Sequence, residues 1–371
     1  MLTSLRIQNF RSIRDASVKL GQVNLFIGPN NSGKSNFLKG ISLLAATLNT
    51  YPNKNPLTEQ DFTTVLPRLS KLQTGRVIGF KVQLSNEPDK AVSLIIGYDE
   101  AMQDENRLFF THELKELINT EQSHKFTGFL YQEEEPYLSP LEWALKTQLS
   151  KLKIYKIEPS RFEFSTELSD QSQLEANGFN ITSFLFTLSQ NYENIFTQLR
   201  TDFAGCVGDL NSISTPPDPV KKGRLRLKFF DSIGSSYWAE EVSEGVLYFL
   251  ALLCIVHQPD PPKLLLLEEP EKGIHPRRIK EVMDFIFDLA RLRDIQIIFT
   301  SHSPYVVDYF ADIPECISVF DRENGETVIH NAGDIISETN DRLKAAGGKP
   351  IRYTDSLGEH WVSGFLGGVP L

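Results

Sequence analysis

Cysteine is scarce in these 371 residues: Cys206, Cys254 and Cys316 stand far apart, without CxxC spacing or a companion His pair. That gives neither a disulfide framework nor a metal–thiolate pattern, and the three read as reduced thiols of a cytoplasmic protein, two of them within apolar runs. Long apolar stretches are missing as well. The longest uncharged one, GVLYFLALLCIV at 245–256, falls well short of the roughly 20 residues that span a bilayer. The opening MLTSLRIQNF has no apolar core of signal-peptide length, so no membrane insertion is expected. Positive charge is not in excess: the formal net charge is -10 and the pI about 5.3. The average surface therefore repels nucleic acid, and any DNA contact needs a local basic patch. Sustained heptads, internal repeats and low-complexity tracts are also missing, which excludes a coiled-coil arm.

What is present is enough apolar material, 40% of residues, to bury one large core or two ordinary ones. LTSLRIQNF alternates as a half-exposed strand, and VNLFIG forms a continuous apolar strand leading into a glycine-rich stretch. SNFLKGISLLAATL then places apolar residues at helical spacing. From 51 to about 75 the composition turns to Pro, Asn, Thr and Gln; RVIGFKVQL and KAVSLIIGYD follow as two antiparallel strands around a polar turn. Residues 105–150 mix charge, aromatics and short helical patterns. LKIYKIEP predicts a strand stopped by proline, residues 180–210 are mostly helical, and RLRLKFF and YWAEEVSEG return to strand and loop. VLYFLALLCIV is a buried helix, KLLLLEEPE a buried strand, PRRIKEVMDFIFDLARL an amphipathic helix and IQIIFTSHSP another buried strand. That alternation from 245 to 310 predicts an α/β unit with parallel strands.

Four stretches carry chemistry. GPNNSGKS at 28–35 fits GxxxxGK[ST], in the strand–loop–helix context that a phosphate loop requires. Gly28 and Gly33 let backbone N–H groups turn inward, Lys34 reaches the β and γ phosphates, Ser35 can ligate magnesium, and the helix that follows adds its positive dipole end. The candidate cradle is Gly28, Pro29, Asn30, Asn31, Ser32, Gly33, Lys34, Ser35 and Asn36; the competing reading is a polar turn with a surface lysine. In LLLLEEPEKGIHP, at 264–276, a buried strand ends in Glu268 and Glu269. Adjacent carboxylates there suit one Mg²⁺ ligand, Glu268, and one group that orients the attacking water, Glu269; the alternative is two solvated acids. FTSHSP ends the next strand with His302, placed to touch a γ-phosphate or the attacking water, although a lone histidine is more often structural. In EEVSEGVLYF, Ser243 and Gly245 open a helix whose head can bind an anion, or which Ser243 simply caps.

The order and spacing of these pieces resemble the ABC-type ATPase heads of the RecF and SMC-like group, above all the stand-alone bacterial AAA-21 or AAA-15 type and the ATPase half of the OLD family. The resemblance covers nearly the whole chain outside 50–150. It implies an α/β P-loop NTPase fold, an ABC ATPase head with a mixed β-sheet and a helical/β insertion, laid out as an N-terminal lobe at 1–50, an insertion at 51–235 and a C-terminal lobe at 236–371. It also implies Walker A at 28–35, signature at 242–246, Walker B at 264–269, a D-loop at 272–276, the switch at His302, and a basic residue, Arg11 in LRIQNFRSI, approaching the nucleotide. ATP and Mg²⁺ are the implied cofactors. An ATP-dependent homodimer is implied, in which Ser243 of one copy closes on the γ-phosphate held by Lys34 of the other. Glu268 stands where Asp is commoner, VSEGV differs from the transporter form LSGGQ, and Gln60 is a weak candidate for the Q-loop.

The implied activity is ATP hydrolysis driving a DNA-directed process, repair or anti-phage defence, with a separately encoded nuclease or effector. Only about 70 residues follow His302, too few for the nuclease domain of OLD proteins, so the chain is not expected to cut DNA alone. A transporter subunit and a regulatory ATP-binding scaffold with little turnover are the alternatives. The basic cluster PVKKGRLRLK at 219–228 is a candidate DNA contact or a lysine-guarded strand edge. The apolar, glycine-rich GEHWVSGFLGGVPL at 358–371 either docks a partner or packs back on its own core.

Overall fold

Strand alternation builds the first sheet. β1 (Leu2–Phe10) turns into β2 (Ile13–Lys19), and the pair buries Leu2, Leu5, Ile7 and Phe10 of the first strand and Ile13, Ala16 and Val18 of the second. β1 also pairs antiparallel with β4 (Val77–Leu84), which continues through β5 (Glu87–Tyr98), β6 (Leu108–Glu116) and β7 (Ser123–Phe129) in the order β2-β1-β4-β5-β6-β7. The short helical patterns read at 105–150 give way here to two strands, β6 pairing along β5 from Lys90↔Glu116 to Tyr98↔Leu108, and among the described residues of that stretch helix appears at Pro140–Gln148. An open strand edge on β5 outweighs local propensity.

The computed structural model describes residues 1–50, 77–98, 108–116, 123–129, 139–163, 165–167, 170–349 and 356–369. Two compact units result, Met1–Leu152 with Gln296–Leu371, and Lys153–Ile295. Gln60 lies outside the described residues.

The first unit also holds the strands that position the glycine loop. β3 (Val23–Ile27), wholly buried, is flanked in parallel by β15 (Gln296–Thr300) and β16 (Ile317–Glu323), and β16 turns at Asn324-Gly325 into antiparallel β17 (Glu326–Asn331). Buried Gln296 clips the starts of these strands together. Its Oε1 accepts from the Leu2 N–H at 2.9 Å and its Nε2 donates to the carbonyls of Leu2 and Gly21, each at 2.7 Å. With every polar atom bonded, burial of this amide carries no desolvation penalty. The helix Lys34–Thr50 packs on this sheet through Phe37, which meets Phe26 edge-on at 5.6 Å and Phe320 at 5.8 Å. All three rings are buried, each contributing about 1.5–3 kcal/mol by removal from water.

The second unit places β8 (Ile154–Tyr155) parallel to β14 (Leu264–Glu268). Only two residues of the proline-stopped strand expected at 152–159 pair, and a 3-10 turn at Pro159–Glu163 follows. Smaller antiparallel groups, β10 (Leu210–Ser214) with β12 (Lys228–Asp231) and β13 (Ser236–Trp238), and β9 (Thr166–Glu167) with β11 (Arg224–Leu225), surround the helices Ile181–Asn191, Glu193–Cys206, Glu244–Val256 and Ile279–Arg293. The helix Glu244–Val256 is buried from Gly245 to Val256, as an all-apolar segment must be. Among the described residues no helix is long and apolar enough to cross a membrane.

Candidate functional site

The loop between β3 and the helix Lys34–Thr50 is shaped by close backbone approach. A Cβ on Gly28 would collide with the Phe320 carbonyl oxygen, and one on Gly33 would collide with the Thr327 hydroxyl. Gly33 also holds φ +111°, a conformation closed to other residues without strain. The backbone carbonyl of Phe320 on β16 and the side chain of Thr327 on β17 thus form the floor of the loop. Thr327 in turn shares a 2.8 Å hydrogen bond with Ser12 Oγ, to which Asn36 Nδ2 donates at 2.8 Å. The cradle is tied through Ser12 to the β1–β2 turn, whose neighbouring Arg11 is exposed, has φ +55°, and lies 5.6 Å from the Phe10 ring centroid.

Lys34 is only 7% exposed, and its ammonium donates to the carbonyls of Gly28 at 2.6 Å and Pro29 at 2.9 Å. Ser32 is 1% exposed and its hydroxyl has no hydrogen-bond partner among the described residues. The helical ladder starts with the Phe37 N–H to the Gly33 carbonyl at 2.9 Å, so the N–H groups of Lys34, Ser35 and Asn36 stand ahead of it. An ammonium, an orphaned buried hydroxyl and a fan of helix-start N–H groups fit a polyphosphate, and the exposed Ser35 hydroxyl suits a hydrated divalent cation beside it.

His302 belongs to the same edge. β15 pairs with β3 up to Thr300↔Phe26, and the Ser301 N–H donates to the Phe26 carbonyl at 3.1 Å, so both strands end together. His302, exposed, follows at that end, and the chain turns at once into the helix Pro304–Asp308. This is the carboxyl edge of a parallel sheet, where ligands bind.

In the second unit β14 delivers half-buried Glu268 as its last residue. Glu269 follows with φ +48°, a left-handed conformation rare for a residue with a side chain, and its carboxylate lies 4.0 Å from the Lys272 ammonium. Strain of this kind accumulates at functional positions. The turn then presses Gly273 against the Ser243 helix: a Cβ there would stand 2.6 Å from Glu244 Oε2. Ser243 occupies the N-cap position of the helix Glu244–Val256 but makes no capping bond. Its hydroxyl instead accepts from Arg278 Nη1 at 3.0 Å, while Arg278 Nε donates to Glu281 at 3.1 Å. Arg278 also covers Gly245, 3.4 Å from where a Cβ would stand. The acidic strand end and the serine-headed helix are thus joined within one unit, and Arg278, unremarkable in sequence beyond its charge, is the joint.

The basic cluster at 219–228 is largely engaged internally. Arg224 donates to the Ser165 carbonyl, Arg226 pairs with Glu240 beneath the Trp238 ring at 4.2 Å, and Lys228 lies 5.0 Å from the same ring. Lys221 and Lys222 remain exposed. All three cysteines are free thiols.

No curated protein matches the chain. Among solved structures, the SMC head domain from Thermotoga maritima aligns with TM-score 0.42 and 12% identity, covering 89% of this chain and 98% of that one. An SMC head bound to the C-winged helix domain of ScpA gives 0.49 and 13% over 89% and 97%. An SMC head with an extended coiled coil, bound to the C-terminal domain of ScpA derived from Pyrococcus furiosus, gives 0.45 and 11% over 93% and 99%. The family model described as "AAA domain, putative AbiEii toxin, Type IV TA system" matches residues 23–308, a span that takes in the glycine loop, the Ser243 helix, the acidic strand end and His302. The chain belongs to that AAA-domain family.

Proposed function

We propose that the chain binds ATP with Mg²⁺, hydrolyses it, and uses the cycle to close and open a homodimer that drives a separately encoded effector. The observation that carries this reading is the loop at 28–36: a buried ammonium that donates to two loop carbonyls, beside a buried hydroxyl with no hydrogen-bond partner among the described residues. Exchanging the carbonyls of Gly28 and Pro29 for phosphate oxygens strengthens the hydrogen bonds of Lys34, because an anionic acceptor adds Coulomb attraction that a neutral carbonyl does not offer the ammonium. Ser32 gains a partner at no cost. Mg²⁺, when bound, neutralises charge developing on the phosphates, and the Ser35 hydroxyl and Glu268 are its protein ligands in this reading.

Glu269 orients and polarises the attacking water, and His302 contacts the terminal phosphate. The serine-headed helix of one copy completes the site of the other, with exposed Ser243 at its head. The family description names a toxin of a type IV toxin–antitoxin system, which supports a two-component arrangement and a role in defence. The test is phosphate release by the purified chain and by Glu269→Gln. We expect turnover in the first and at least a hundredfold loss in the second, with nucleotide still bound; equal turnover in both removes Glu269 from the chemistry.

A further inference from the structure

Residues 356–369 touch both the segment after His302 and the first glycine of the phosphate loop. The helix Leu357–Val362 buries Leu357 and Trp361. The Gly358 N–H donates to Asp308 Oδ1 at 2.7 Å, and a side chain at Gly358 would collide with the Pro304 carbonyl. This end is therefore fastened to the helix Pro304–Asp308, which begins two residues past His302. Leu366 is buried in the turn that follows, and Gly368 then reaches the loop. The Gly368 N–H donates to Asp321 Oδ2 at 3.3 Å, and its φ is +64°. A Cβ on it would stand 2.7 Å from Val319 Cγ1, 3.1 Å from the Phe320 carbonyl oxygen and 3.4 Å from Gly28 Cα. The Phe320 carbonyl is also the atom against which Gly28 itself is packed.

We infer that residues 356–369 form a strap that positions the phosphate loop, with Gly368 holding the Gly28 peptide and thereby setting the affinity for a nucleoside triphosphate; this rests on the ATP-binding reading above. Near the loop's entry the Ser32 N–H donates to the Pro29 carbonyl at 3.3 Å, and the packing of Phe320 and Gly368 against Gly28 bears on where the Gly28 carbonyl points. That carbonyl accepts from Lys34 at 2.6 Å. A shift of Gly28 therefore changes how readily the ammonium exchanges a carbonyl for a phosphate. Linkage is reciprocal: a nucleotide that draws Lys34 from Gly28 alters the stability of the strap by the same free energy.

The test compares affinity for a non-hydrolysable ATP analogue with Mg²⁺ in the full-length wild type, Lys34→Ala, Gly368→Val and Asp321→Ala, with the melting temperature of each nucleotide-free protein alongside. Wild-type binding abolished by Lys34→Ala establishes the underlying reading. The strap then predicts dissociation constants at least fivefold weaker in Gly368→Val and at least twofold weaker in Asp321→Ala, a change that melting temperature does not track. Hydrogen exchange keeps the idea open to refutation if Gly368→Val does not fold: amides at 363–369 gain protection with the analogue in wild type and not in Lys34→Ala. Unchanged or tighter binding in both strap variants that fold, or exchange at 363–369 indifferent to the analogue, overturns the strap while leaving ATP binding intact. A wild type that binds no nucleotide overturns both.

Discussion

Gly33 shows how little freedom the loop has. Its φ of +111° and the Thr327 hydroxyl beneath it leave no place for a methyl group. Backbone strain of about 1–3 kcal/mol predicts that Gly33→Ala weakens nucleotide binding by tenfold or more in a titration. Thr327→Ala in the same chain should recover only part of the loss, because it removes the collision and not the strain. A different residue contributes to acid sensitivity. His257 is buried, with Nε2 2.8 Å from Asp202 and Arg293 at 2.9 Å. Burial pushes its imidazole below the ordinary value of 6.5 and Arg293 acts the same way, against the pull of Asp202. The unfolded chain then takes up a proton before the folded one does. Stability from this group is complete above about pH 6.5 and falls as the pH drops through that value toward the folded one. His257→Gln should flatten the decline of melting temperature between pH 7 and 5.5; an unchanged slope assigns the decline to other groups.

The helix Glu244–Val256 and the turn after β14 act as one element through Arg278, which bonds Ser243 and Glu281 together. Arg278→Ala should lower turnover at least fivefold with nucleotide affinity unchanged in a binding assay. Arg278→Lys should rescue it only partly, since an ammonium does not reproduce the forked contact. These elements were legible to different degrees. β3, the loop and the helix Lys34–Thr50 could be read because their pattern is local: an apolar run, glycines, then helical spacing. β6 and β7 could not, because the strand state of β6 depends on pairing with β5 and that of β7 on pairing with β6. The β16–β17 hairpin carries an Asn-Gly turn signal in DRENGETV, a cue strong enough to have been used. Phe320 and Thr327, nearly 300 residues beyond the glycines they support, carry no cue at all, and neither does the contact between Gly368 and Gly28. Ser243 was visible as a helix start, but its failure to cap emerges only from the position of Arg278.

For the whole molecule, the proposal makes assembly a function of nucleotide. Glu269→Gln with ATP should show a doubled mass by light scattering, and Ser243→Arg should abolish the doubling while leaving ATP bound, since a second cation and its bulk then occupy the head of the helix. A mass indifferent to ATP would detach dimerisation from the cycle. All of this presupposes that the loop at 28–36 grips the triphosphate. Calorimetric titration of the purified chain with a Mg²⁺-loaded, non-hydrolysable ATP analogue, against Lys34→Ala, tests that directly. One site per chain is expected, with affinity lost by at least a hundredfold in the variant; equal affinity in the two proteins would contradict it.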